Sequence, residues 1–171
     1  MRVVATEDDS LVRAAQRGDQ VAFGRLFERY TRLVHGVLLS RLGKADADDL
    51  TQEVFLVAFE KLPALAEPDS FGAWLAVIAR NRATDFLRKR PRESEILPDL
   101  PTFDPRRAEA EQVLEVIRGL PEAYREPLVL RLEEGMTGPE IAARTGLTPD
   151  SARVNLHRGM KLLKERMKSD E

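Results

Sequence analysis

The sequence contains no cysteine and only two histidines, His35 and His157. The lack of cysteine excludes disulfides, thiolate catalysis and cysteine-based zinc sites, and His157 has no second ligand at helical spacing. No stretch approaches the ~20 apolar residues of a membrane span, so we expect a cytoplasmic protein without membrane insertion. The sequence also lacks a nucleophile–base pair and a glycine-rich phosphate loop, so we predict no enzyme, no metal and no cofactor.

The net charge is only −2, but the charges are segregated along the chain. Two stretches are strongly basic, and an acidic stretch separates them. The bases of the first are Arg80, Arg82, Arg88, Lys89, Arg90 and Arg92, and those of the second are Arg153, Arg158, Lys161, Lys164, Arg166 and Lys168. Basic patches on predicted helices favour a polyanionic partner, although a solvated helix face is the alternative for either one.

Helical spacing of apolar residues predicts helices throughout the chain, without any strand pattern. In the first half, the predicted helices are one from a cap at Asp9 or Ser10 to Gly18, one over 20–42 capped by Asp19, one over 46–61, and one over 71–90 capped by Ser70. In the second half, they begin near Arg106, at Pro121, after a capping box at Thr137 and after a cap at Thr148.

The chain divides at PRESEILPDLPTFDP, which begins at Pro91. Four prolines and several acids leave little to bury, as is typical of a linker. The predicted fold class is therefore all-α, with two small helical domains over 1–90 and 113–171 joined by a flexible, acidic, proline-rich linker over 91–112.

The second domain ends in GMTGPEIAARTGLTPDSARVNLHRGMKLLKERM, residues 135–167, which predicts a helix-turn-helix. Ala142 and Gly146 are small enough for two helices to cross steeply. The predicted shared core consists of Ile141, Leu147, Ala152, Leu156 and Leu163. Burial of that core turns the opposite face outward, and its residues are Arg153, Val154, His157, Arg158 and Lys161. Such a face contacts base edges in a helix-turn-helix; an ordinary helical hairpin with a basic face is the alternative.

The stretch FGAWLAVIARNRATDFLRKR carries the second informative pattern. Its predicted buried stripe is Phe71, Trp74, Leu75, Ile78, Ala79, Ala83, Phe86 and Leu87. The polar and basic residues off this stripe could hold unpaired bases, as single-strand binders do. An amphipathic helix with a charged outer face explains the same pattern.

Several stretches together resemble the sigma factors of bacterial RNA polymerase. GDQVAFGRLFERY, DDLTQEVFLVAFEKL and WLAVIARNRATDFLRKR are similar to sigma region two, and LPEAYREPLVLRLEEGMTGPEIAARTGLTPDSARVNLHRG is similar to region four. The short linker and the lack of recognisable regions one and three are typical of the extracytoplasmic-function (ECF) group.

The resemblance implies a role for each surface. The helix with Asp49, Gln52, Glu53 and Phe55 would dock on the coiled coil of the polymerase beta-prime clamp. The residues implied at the −10 element are the loop over 62–70 with Arg80, Asn81, Arg82, Asp85 and Arg88. Those implied at the −35 element are Ser151, Arg153, Val154, His157, Arg158 and Lys161. Region four would also rest on the beta flap, and an anti-sigma factor would cover these faces.

One residue and one short stretch depart from the family pattern. Asp85 stands where an asparagine is frequent, which places a carboxylate beside the DNA. The recognition helix begins Ser151-Ala-Arg-Val-Asn155 and not with the usual small residue-Val-Lys/Arg-Ser-Arg, which predicts a different −35 preference.

Two other functions are compatible with the residues themselves. A free-standing DNA-binding regulator would bind duplex DNA tightly without polymerase. A helical adaptor would show no salt-dependent DNA binding.

Overall fold

The computed structural model describes residues 6–90 and 104–170, which form eight α-helices and no strand. The helices of the first domain are α1 (Glu7–Gln16), α2 (Gln20–Leu39), α3 (Lys44–Lys61) and α4 (Phe71–Lys89). Those of the second are α5 (Pro105–Arg118), α6 (Glu122–Leu132), α7 (Gly138–Thr145) and α8 (Pro149–Ser169). The predicted all-α class is confirmed. Among these helices, none is both long and apolar enough for a membrane span.

The helix starts follow from local capping. Asp19 accepts hydrogen bonds from the backbone N–H groups of Val21 and Ala22, as predicted. The predicted cap of α1 at Asp9 or Ser10 is wrong, because Thr6 is the N-cap. Asp9 is the third helical residue, and its carboxylate accepts from the Thr6 N–H at 3.1 Å while the Thr6 hydroxyl accepts from the Asp9 N–H at 3.2 Å.

Other boundaries differ from the prediction by a few residues. α2 ends at Leu39, not Leu42, and α3 begins at Lys44, not Asp46. Ser70 directly precedes α4, but its side chain makes no capping hydrogen bond. The loop before α4 contains two 3₁₀ turns, Leu62–Ala64 and Pro68–Ser70.

Part of the predicted linker is helical. α5 begins at Pro105, after Asp104 caps its first turn. Residues 105–112 therefore belong to a helix, since Leu114 and Ile117 further along it are buried and anchor it to the second domain. Residues 91–103 of the predicted linker lie outside the described residues.

In the first domain, α2, α3 and α4 pack on one another around an apolar core. Most of the predicted stripe of α4 faces this core, and the Phe71 ring lies edge-on to Tyr30 with centroids 4.9 Å apart. Leu87 is an exception, with 48% of its surface exposed. It lies beyond Ala83, the last fully buried residue of α4, so the predicted burial of Leu87 is wrong.

The two domains also pack against each other. α2 contacts α6, and α4 contacts α7. The buried apolar residues form one continuous cluster that extends from Val12 to Leu163. The sequence analysis expected two domains joined by a linker and left their arrangement open, so it gave no basis for this interface.

Candidate nucleic-acid and partner interfaces

The turn between α7 and α8 sets the direction of the predicted recognition helix. Gly146 ends α7 with φ +78°, a left-handed conformation that favours glycine. Thr148 then caps α8 by accepting from the Ser151 N–H at 3.1 Å, and Pro149 is the first helical residue, as predicted. This local chemistry fixes where α7 ends and where α8 begins.

The predicted −35 residues occupy the opposite face of α8. Arg153, His157, Arg158 and Lys161 are exposed, and Val154 and Ser151 are partly buried. Asp150 lies 3.7 Å from the Arg153 guanidinium. Both side chains of this pair are largely exposed, so it is weak and can yield to a DNA phosphate.

The helix-turn-helix core agrees with the prediction only in part. Ile141, Ala152 and Leu163 are buried, whereas Leu147 and Leu156 are partly exposed. Gly159 is also buried, and a Cβ there would lie 3.0 Å from the Cβ of Tyr124 on α6. The sequence analysis missed this close crossing of α6 and α8, whose signal was a glycine inside a helical pattern.

On α4, the predicted −10 residues have different surroundings. The side chain of Asn81 is exposed. Arg82 donates from Nε to Glu53 on α3 at 2.8 Å, and Arg88 donates to Asp85 at 2.8 Å. Arg82, a predicted DNA contact, therefore pairs with a predicted polymerase contact.

Arg80 is paired with the second domain. Its guanidinium donates from Nε and Nη2 to the two oxygens of Glu126 on α6, at 2.6 and 2.8 Å. The hydrogen bond with Glu126 raises the pKa of Arg80 above its ordinary value. In this arrangement Arg80 is held by protein, and its guanidinium fork is not available to a phosphate.

An apolar groove lies between α2 and α3, with a volume of about 450 Å³. Its lining residues are Gln20, Phe23, Phe27, Gln52, Phe55, Leu56 and Phe59. Leu56 and Phe59 are 66% and 45% exposed, so the groove presents large apolar side chains to solvent.

The four predicted polymerase contacts differ in their position around this groove. Gln52 lines it and is exposed, and Asp49 and Glu53 are exposed on α3. Phe55 is only 3% exposed, with its ring centroid 4.6 Å from that of Phe27, so it forms the floor of the groove. The sequence analysis missed Leu56 and Phe59, whose signal was apolar residues off the buried positions of α3.

His35 on α2 contacts side chains from both domains. Its Nδ1 lies 2.5 Å from Glu134 on the loop after α6, and its Nε2 lies 2.7 Å from Asp48 on α3. Both ring nitrogens face a carboxylate, so the protonated ring donates to both. The hydrogen bond with Glu134 raises the pKa of His35, and Asp48 raises it further, against the opposing effect of burial. Burial raises the pKa of Glu133, and the neighbouring Glu134 raises it further, whereas the charges of Lys44 and His35 lower it.

Comparison with known proteins places the chain in a family. The Sigma-70 region 2 family matches residues 26–93, and the Sigma-70 region 4 family matches residues 110–163. The chain is 30% identical to the ECF RNA polymerase sigma-E factor of Escherichia coli over 155 residues, which cover 80% of this chain and 81% of that protein. The chain is an ECF sigma factor. The resemblance drawn from its motifs is confirmed.

Other similarities of this ECF sigma factor extend over most of its length. It is 34% identical to the probable RNA polymerase sigma factor RfaY of Xanthomonas campestris pv. campestris, over 84% of this chain. It spans only 40% of the length of that relative. The structure of CnrH in complex with the cytosolic domain of CnrY matches 96% of this chain with 29% identity and a TM-score of 0.67.

Membership in this family also decides whether a catalytic centre is expected. Sigma factors are non-enzymatic transcription initiation factors, so no catalytic centre is required. Within residues 6–90 and 104–170, no group of three or more histidine, aspartate or glutamate side chains is placed to hold a metal ion.

Proposed function

We propose that this ECF sigma factor binds core RNA polymerase in the cytoplasm, recognises a two-part promoter and directs DNA melting and transcription initiation. The observation that carries the proposal is the outward face of α8, where Arg153, His157, Arg158 and Lys161 are exposed at the start of a capped helix. This face has the position and chemistry of a recognition helix in a major groove.

The −10 element would be held by α4 and the loop before it. Asn81 is exposed and offers an amide to an unpaired base. Arg80, Arg82 and Arg88 would hold phosphates, with Asp85 beside them. All three arginines have a carboxylate partner in the free protein, so DNA must replace those partners.

Core polymerase would dock on the α2–α3 groove. Its apolar lining and the surrounding residues Asp49, Gln52 and Glu53 fit a partner helix that presents apolar residues flanked by polar ones. We assign this groove to the coiled coil of the beta-prime clamp, and we assign the beta flap to the second domain.

We further propose control by an anti-sigma factor. CnrH was solved in complex with the cytosolic domain of CnrY, and its fold covers nearly the whole of this chain. The exposed apolar residues of the groove give such a partner a surface whose occupation would exclude polymerase.

The test is co-purification with bacterial core RNA polymerase, followed by transcription from a fragment library of the source genome. We expect defined starts that depend on the added protein and share a two-part upstream motif. Binding to duplex DNA without binding to core would support a free-standing regulator, and binding to neither would contradict both functions.

A further inference from the structure

α1 carries none of the residues assigned to DNA or to polymerase, but it packs against the loop that precedes α4. This loop, residues 62–70, is assigned to the −10 element together with α4. α1 contacts both of its 3₁₀ turns, Leu62–Ala64 and Pro68–Ser70. Ala66 and Glu67, which connect the two turns, are exposed. The loop is therefore supported by α1 and still presents its middle to solvent.

The last residue of α1, Gln16, is bonded to the backbone of this loop. Its Nε2 group donates to the carbonyl oxygen of Leu65 at 2.7 Å and to that of Leu62 at 3.2 Å. A side-chain amide carries two N–H groups, so it can donate to both carbonyl oxygens at once. A hydroxyl group has only one such donor and a carboxylate has none. The pair of bonds therefore depends on the amide.

The link between the two turns, residues 65–67, is the part of the loop that most needs an outside partner. Each turn is closed within the loop, by the Leu65 N–H to the Leu62 carbonyl at 3.1 Å and by the Ser70 N–H to the Glu67 carbonyl at 3.0 Å. Leu65 and Glu67 themselves are extended, with ψ 114° and 103°. An extended segment has no hydrogen bonds along its own backbone, so its carbonyl groups need other donors. For Leu65 that donor is Gln16.

Both ends of the loop are held by packing and not by the amide. Leu62 is buried at the end of α3, and Phe71 is buried at the start of α4. The next residue, Gly72, has room only for hydrogen, because a Cβ there would lie 2.5 Å from the carbonyl oxygen of Arg144 on α7. Loss of the amide should therefore release the link over 65–67 without unfolding the first domain.

The loop has no positive charge with which to attract DNA. Its sequence is LPALAEPDS, with two acids, Glu67 and Asp69, and no base. Because these acids repel phosphates, the loop can select a base only through its shape and its backbone groups. A site of this kind works only when supporting hydrogen bonds hold its geometry. Capture of a base should therefore be sensitive to small displacements of the link.

We propose that Gln16 is a positioning residue for capture of the −10 strand, because its amide holds the link over 65–67 in the shape that accepts an unpaired base. The proposal rests on the proposed function, which assigns this loop and Asn81 to the −10 element. Gln16 acts through the backbone of Leu65 and does not contact DNA. Its loss should lower base-specific capture and leave polymerase binding unchanged.

Two substitutions at Gln16 remove the donor and keep the length of the side chain. Gln16→Met is uncharged and has no N–H group. Gln16→Glu has the shape of glutamine but places carboxylate oxygens against two carbonyl oxygens. Gln112→Met is the matched control, since Gln112 is exposed on α5 in the second domain. Gln16 is only partly buried at the end of its helix, so we expect both of its variants to fold.

The assay measures binding of single-stranded DNA to holoenzyme assembled from core RNA polymerase and each full-length chain. One oligonucleotide carries the non-template −10 strand of a promoter found by library transcription, and a second has the same bases in shuffled order. The ratio of the two dissociation constants reports base-specific capture, and general effects of charge cancel in it. Loss of one or two hydrogen bonds corresponds to a factor of about 5 to 30. We expect both Gln16 variants to lower the preference by a factor in this range, and Gln112→Met to keep it.

Hydrogen exchange followed by mass spectrometry shows where the change lies. Peptides over 62–70 should exchange faster in both Gln16 variants, whereas peptides of α2 and α3 should exchange as in the parent. Binding to core polymerase should also stay at the parent level. Faster exchange throughout the first domain, together with weaker binding to core, would show that Gln16 only stabilises the domain and would overturn the proposal. Parent-like exchange over 62–70 in both variants would overturn it as well.

Failure of this proposal and failure of the proposed function give different results. If Asn81→Ala lowers the preference for the −10 strand but Gln16→Met and Gln16→Glu keep it, the positioning role of Gln16 is wrong and the −10 assignment stands. If none of the three variants changes the preference, the assignment of this surface to the −10 element is wrong, and the role of Gln16 falls with it. Transcription with core polymerase tests the rest of the proposed function independently.

Discussion

Leu56 and Phe55 are neighbours on α3, but we predict that their replacement by alanine weakens polymerase binding for different reasons. Leu56 is 66% exposed at the rim of the groove, and Phe55 is 3% exposed at its floor. Leu56→Ala should remove a partner contact, whereas Phe55→Ala should damage the first domain itself.

The magnitudes follow from burial. Burying a whole leucine side chain stabilises by about 1.5–3 kcal/mol, so covering the exposed two-thirds of Leu56 contributes about 1–2 kcal/mol. Leu56→Ala should therefore weaken binding to core polymerase about 5- to 30-fold. Removing a buried phenylalanine side chain costs about 3–5 kcal/mol, a large fraction of the ~5–15 kcal/mol that stabilises a domain.

The assays are equilibrium binding of each labelled variant to core polymerase and unfolding in urea followed by circular dichroism. Leu87→Ala is the control, since Leu87 is also an exposed leucine in the first domain but lies outside the groove. We expect Leu56→Ala to unfold as the parent does and Leu87→Ala to bind as the parent does. Parent-like binding by Leu56→Ala would refute the assignment of the groove to polymerase.

Three further predictions concern the DNA-binding surfaces and the domain interface. Arg153→Ala and Arg158→Ala should each lose promoter-specific transcription but retain polymerase binding; loss of polymerase binding would contradict the role assigned to α8. Asn81→Ala should reduce transcription from a duplex promoter more than from a pre-melted one, and equal losses would exclude a role in strand capture. The folded pKa of His35 is raised, so its stabilising contribution is complete below its unfolded pKa of about 6.5 and is lost as the pH rises through the folded pKa. Urea unfolding at pH 6 and pH 8.5 should give a lower free energy of unfolding at the higher pH, and His35→Gln should reduce this difference. An equal difference in the parent and in His35→Gln would refute the role assigned to His35.

Features with a local cause were predictable from the sequence. Asp19, Gly146 and Thr148 each act on backbone groups within a few residues, so their roles at helix ends could be derived from residue type and spacing. The outward face of α8 followed from helical periodicity once Ala152 was assigned to the core.

Long-range contacts were not predictable in this way. Arg80 and Glu126 are 46 residues apart, and Gly72 and Arg144 meet only because two helices cross there. A basic residue on a helix face gives the same sequence pattern whether its side chain is free to bind DNA or is paired with a distant carboxylate. The α1 cap shows a smaller version of this ambiguity, since an aspartate in a first turn serves equally as N-cap or as the third residue of a capping box.

The glycines of α2 and α4 have a consequence for the evolution and engineering of this chain. A glycine inside a helix costs about 1 kcal/mol relative to alanine, so selection for heat resistance favours its replacement. Gly24 has free space around it and can be replaced at no cost to packing, but Gly72 cannot. At Gly72, a change that strengthens one helix weakens the contact between two domains. A lineage or a screen that gains thermal tolerance at this position therefore changes the spacing of its DNA-binding domains as well.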